Sequence, residues 1–135
     1  MNQELKFKRN YYEGFEGEPE FIFSIFSGNQ IIFTESVWDG YFSLLFDSFN
    51  LPLPTSLQNW FHNLDVFWDS DTKHEWSVDA EELLFALEDS KWENLEEYRV
   101  NLDAWINVVS DLKIDLLQLS HIAMTEGFQI RLFRD

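Results

Sequence analysis

The chain has 135 residues, 45 % of them apolar, with 14 Phe, 6 Trp, 4 Tyr, no Cys, and nine Lys and Arg against 25 Asp and Glu for a net charge of −16. That much apolar material suits one core and one domain over residues 1–135, and the missing cysteine excludes disulfides, thiolate catalysis and cysteine-based metal sites. A balance this acidic repels nucleic-acid phosphate and anionic lipid, and no run of about 18 apolar residues is present, so neither nucleic acid nor a membrane is expected as a partner.

The opening residues "MNQELKFKRNYYEG" carry no apolar leader after their basic residues. With the absence of cysteine, this sets an expectation of a cytoplasmic protein. "LKFK" alternates Leu5 and Phe7 and predicts a short strand. "EFIFSIFSGNQIIFTE" predicts a β-hairpin, because Phe21, Phe23 and Ile25 alternate, "SGNQ" supplies turn residues, and Ile31 and Phe33 resume the alternation. Over 36–49 the period changes: Trp38, Phe42, Leu45, Phe46 and Phe49 share a helical face. Pro52 and Pro54 then interrupt the chain, and Thr55 or Ser56 is placed to cap a short helix carrying Leu57, Trp60, Phe61 and Leu64.

Residues 65–77 read as a loop. Asp79 is a good N-cap and Glu82 completes a capping-box pattern, so a helix is expected over 80–89 with Ala80, Leu83, Leu84 and Leu87 as its apolar stripe. A longer helix is expected from Trp92 to Ser110, with Leu95, Tyr98, Leu102, Trp105, Ile106 and Val109 on one face. Residues 113–124 fit either a continuation of that helix or a strand. Gly127 punctuates, and "FQIRLFR" alternates as a final strand. The expected class is α+β: an antiparallel sheet of the N-terminal strand, the hairpin and the C-terminal strand, packed with three to four helices.

The stretch "DVFWDSDTKHEWSVDAEE" at 65–82 invites tests for chemistry. As a calcium loop it supplies Asp69 and Asp71 at positions 1 and 3, but puts Lys73 at position 5, lacks the glycine at position 6, and ends on Ala80 instead of Glu. As a zinc motif, "HEW" needs a second histidine at 78, which is Val78. Paired carboxylates for acid–base work require one acid in an apolar pocket, and with 25 acids in the chain their mere presence selects none. The five glycines form neither a GxGxxG nor a P-loop. No catalytic residue, metal ligand or cofactor is therefore expected.

Binding to a protein is the remaining chemistry. Between Asp65 and Asp103 stand 13 acids against Lys73, Lys91 and Arg99. Charge complementarity speeds association, and buried aromatics concentrate interface energy. On the 80–89 helix, Phe85 falls opposite the leucine stripe, among Glu81, Glu82 and Asp89. That position suits a ring covered by a second layer such as the 92–110 helix, or else an interface anchor. Trp68 and Trp76 suit core rings with one wet edge before they suit anchors.

In size, acidity, aromatic content and the acid–aromatic block "FWDSDTKHEWSVDAEELLFALEDSKWENLEEY", the chain resembles bacterial toxin immunity proteins. The resemblance implies a small cytoplasmic inhibitor, not an enzyme, that binds a cognate basic toxin such as a nuclease and blocks its substrate surface. The residues expected to meet that partner are Asp69, Asp71, Glu75, Glu81, Glu82 and Glu88 as charges, with Trp76 and Phe85 as anchors. Two alternatives stand beside it: a phage-type nucleic-acid mimic, and a small enzyme or metal-binding protein that uses clustered carboxylates.

Overall fold

Alternating Phe21, Phe23 and Ile25 form strand β1 (Glu20–Ser27), and the chain turns at Gly28, whose φ of 61° favours glycine, into β2 (Gln30–Trp38). The structure is a computed structural model and describes residues 5–62, 74–92 and 99–134. After the hairpin come helix α1 (Asp39–Asp47), helix α2 (Thr55–His62), strand β3 (His74–Val78), helix α3 (Ala80–Asp89), helix α4 (Arg99–Glu126) and strand β4 (Gln129–Arg134). The strands form one antiparallel sheet in the order β2-β1-β4-β3, so the fold is α+β. Among the described residues no helix is long and apolar enough to cross a membrane.

Register fixes which side chains face the helices. Phe23 pairs with Leu132, Ile25 with Ile130, and Ile130 in turn with Val78. These five residues and Phe21 are at most 3 % exposed. The helices cover them with Phe42, Leu45 and Phe46 of α1, Leu83 and Leu87 of α3, and a stripe on α4. That stripe is Val109, Leu112, Leu116, Leu119 and Ala123, spaced three and four residues apart and almost wholly buried. The spacing settles the ambiguous 113–124 segment as helix, and α4 runs on for 28 residues. The helix is described from Arg99, Trp92 is in a 3-10 turn, and Leu95 and Tyr98 of the expected face lie outside the described residues.

Two strand expectations change. Leu5 to Phe7 form no strand. Phe7 instead packs edge-on to Tyr11 and Phe33 at 5.1 Å each, which buries the apolar alternation against rings and not in a ladder. The sheet's fourth member is β3, cut from a region expected to be loop. Trp76 and Val78 face the core while Glu75 and Ser77 face away. This period-two pattern is only five residues long and sits among acids, which hid it.

The N-terminal residues 5–19 form a strap between the β1–β2 rings and α4. Asp115 of α4 is 1 % exposed, and one carboxylate oxygen accepts from the Lys8 amide at 2.8 Å and from the Tyr11 hydroxyl. One turn earlier, Asp111 pairs with Arg9 at 2.7 Å. Burial, then the hydrogen bond and charge of Asp115, push the Tyr11 phenol well above its ordinary value. The other Asp115 oxygen and the Ser120 hydroxyl are buried with no hydrogen-bond partner among the described residues. The strap also accepts the Trp38 amide on Tyr11 and the Asp39 amide on Pro19, closing the end of β2.

Candidate interaction surface

Helix α3 starts at Asp79, whose carboxylate accepts from the Glu82 amide at 2.9 Å, as the capping pattern predicts. The reciprocal half of the capping box is diverted. The Glu82 carboxylate accepts from the Ser56 amide at 2.9 Å, and the Asp79 amide donates to the Ser56 hydroxyl at 3.2 Å. Glu82 thereby satisfies an orphan N–H in the first turn of α2 and joins the N-termini of two helices, where a carboxylate is favoured by the helix dipoles.

The other end of α3 is tied to the same connecting segment. The Asn50 side-chain amide donates to the Asp89 carbonyl at 2.6 Å and to its carboxylate at 3.1 Å, and the Lys91 amide donates to Ser48. The segment "NLPLPTS" from Asn50 to Ser56 therefore runs antiparallel to α3, pinned at both ends. The lengths agree: ten helical steps from Asp79 to Asp89 span about 15 Å, and six extended steps from Asn50 to Ser56 reach about 19 Å. Leu53 turns inward and is 8 % exposed, while Leu51 turns outward and is 80 % exposed.

Phe85 lies midway along α3 and is 62 % exposed. Among the described residues no second layer covers it, so the outward position predicted from the helical wheel holds, and the leucine stripe faces inward through Leu83, Ala86 and Leu87. Glu81 and Glu88 lie one turn to either side and are exposed, and neither has an ion-pair partner among the described residues. No basic residue stands anywhere in α3.

The other expected contact residues separate from this group. Glu75 lies on the outer face of the sheet and pairs with Arg131 at 3.1 Å, while the Arg131 guanidinium covers the Phe26 ring at 4.1 Å. Trp76 points to the opposite side and is half-buried against the core. Asp69 and Asp71 lie outside the described residues, as does Trp68. The structure thus brings together Glu81, Glu82, Phe85 and Glu88, and gives Glu82 a structural task. Leu51 is the surface residue that sequence reasoning missed, since nothing in "NLPLPTS" ties it to a helix thirty residues away.

No group of three or more metal-ligating side chains occurs among the described residues. Two shallow depressions lie elsewhere on the described surface. One, of about 420 Å³, is lined by residues 77–80 and 127–129, and its only acid, Asp79, is committed to the α3 cap. The other, of about 370 Å³, is lined by Tyr12 and residues 17–20, with Glu18 and Glu20 among them and the Tyr12 hydroxyl donating to the Glu18 carbonyl. Comparison with protein-family models, with curated proteins and with solved structures finds no match for this chain.

Proposed function

We propose that this chain is a non-enzymatic inhibitor of the immunity type, which binds a cognate basic toxin and covers the surface the toxin uses for its substrate. A nuclease is the toxin class that fits best, because its phosphate-binding cleft is basic and the inhibitor's charge is −16. The observation that carries the reading is Phe85: a large aromatic ring held 62 % exposed on a helix whose solvent side offers only acids. Exposed apolar rings within a charged rim are the usual make-up of an interface anchor. The mechanism needs no bond chemistry. Long-range attraction brings the surfaces together, the ring is desolvated on contact, and the substrate phosphate is displaced by carboxylates.

The test titrates the purified protein into the product of the adjacent gene, following nuclease activity and stopped-flow association. Activity should be lost at a one-to-one ratio. The association rate should fall steeply between 0.1 M and 1 M salt, as the Debye length shrinks from about 10 Å to about 3 Å. Absence of binding, or a rate indifferent to salt, would overturn the proposal.

A further inference from the structure

We infer that the docking surface is a composite of α3 and the 50–56 segment, and that its occupant is a cationic amphipathic segment of a protein partner. The partner's charge rests on the inhibitor reading above; the placement of the surface does not. Among the described residues, Phe85 and Leu51 are the two most exposed of the large apolar side chains, at 62 % and 80 %. They belong to one patch. Asp89 lies one helical turn, about 5.4 Å, beyond Phe85 on the same side of α3, and it is held by Asn50, the residue before Leu51.

The patch is also preformed. Leu53 anchors the segment in the core, Asn50 and Ser56 tie its ends to the two ends of α3, and Pro52 and Pro54 restrict the backbone between them. Little ordering entropy is left to lose on association. Charge selects the occupant. Glu81 and Glu88 lie one turn before and after Phe85, Asp89 holds the residue before Leu51, and α3 holds no base, the nearest in sequence being Lys91. A second copy would set these acids against their own kind, and anionic lipid or nucleic acid would be repelled. What fits is an apolar stripe flanked by Lys or Arg, laid on the helix and its neighbouring segment.

The experiment uses the full chain in 0.15 M salt, with amide chemical shifts followed by NMR during titration. One probe is a helical leucine–lysine peptide with its leucines on a single face. The other is a lysine–glycine peptide of the same charge. The leucine–lysine peptide should shift the amides of 50–56 and 81–89 and bind at least about tenfold more tightly than the lysine–glycine peptide. Leu51→Ser and Phe85→Ser should each weaken it by about tenfold or more while leaving the thermal melt in place. Equal binding of the two peptides, shifts centred elsewhere, or variants that bind like the parent would overturn the inference. The same variants against the adjacent gene's product separate the two proposals. A toxin bound equally by parent and variants removes this surface and keeps the inhibitor reading. A toxin that does not bind, with the peptide still mapping here, removes the inhibitor reading and keeps the surface.

Discussion

The strap 5–19 turns Phe7 and Tyr11 inward onto Phe23, Phe33 and the buried carboxylate of Asp115, whereas the segment 50–56 turns Leu53 inward and leaves Leu51 exposed along the helix that carries the exposed Phe85. Both segments are irregular for most of their length, both lie against a helix, and both set apolar side chains beside acids of that helix. In the strap, backbone and phenol donors converge on one carboxylate, so the acid works for the fold. Along α3, Glu82 and Asp89 hold the segment while Glu81 and Glu88 stay in solvent, so half of the acids remain free to meet a partner. Composition alone does not separate a stabilising element from an interaction surface. The partners of each acid do.

The comparison breaks most visibly in the strap. Tyr11→Ala removes a ring that is 1 % exposed and should cost about 3–5 kcal/mol in urea unfolding, the range for buried aromatic truncations. A loss as small as that of a surface substitution would show that the strap is peripheral. Tyr11→Phe sharpens the point by removing the hydroxyl alone, and should cost about 1–3 kcal/mol because the buried Asp115 oxygen loses a donor. Its pH dependence carries a sign. The folded phenol is held protonated above its ordinary value, while the unfolded phenol ionises near pH 10. Below pH 10 both states carry the proton and the full contribution is present. As pH rises past 10, the unfolded state binds fewer protons and stability declines. Unfolding at pH 7 and pH 11 should show a smaller alkaline loss for Tyr11→Phe than for the parent, and equal losses would assign the alkaline effect elsewhere.

Glu81 and Glu82 are neighbours that should behave differently. Glu82→Ala withdraws the acceptor of the Ser56 amide and should cost about 0.5–2 kcal/mol, comparable to a lost helix cap. Glu81→Ala should stay within about 0.5 kcal/mol, as expected for a solvated surface acid. Paired thermal melts would check this, and similar losses for the two would mean that the α3 acids are not divided between fold and surface.

How much of this was legible in the sequence differs by element. The hairpin, the final strand, the α3 cap and the outward position of Phe85 follow from short-range periodicity, and the structure has them. The failures are long-range. "LKFK" alternates like a strand, yet its Lys8 amide meets a carboxylate more than a hundred residues away. "HEWSV" pairs with β4 across fifty residues, and no local signal announces an edge strand so short. The diversion of Glu82 to Ser56 and the exposure of Leu51 depend on how the 50–56 segment lies along α3, which local spacing does not encode. Trp76 and Glu75 are adjacent in sequence, which suggests one shared contact surface, but strand pleating sends them to opposite faces of the sheet.

The central claim is that Phe85 is held out for a partner and contributes little to the fold. The measurement that tests it most directly is the unfolding free energy of the free Phe85→Ala protein beside the parent, in urea at pH 7. The account predicts coincident curves, within about 0.5 kcal/mol, because the ring is 62 % exposed and opposite the buried leucines. A loss of about 3 kcal/mol or more would place the ring in the core and contradict the account.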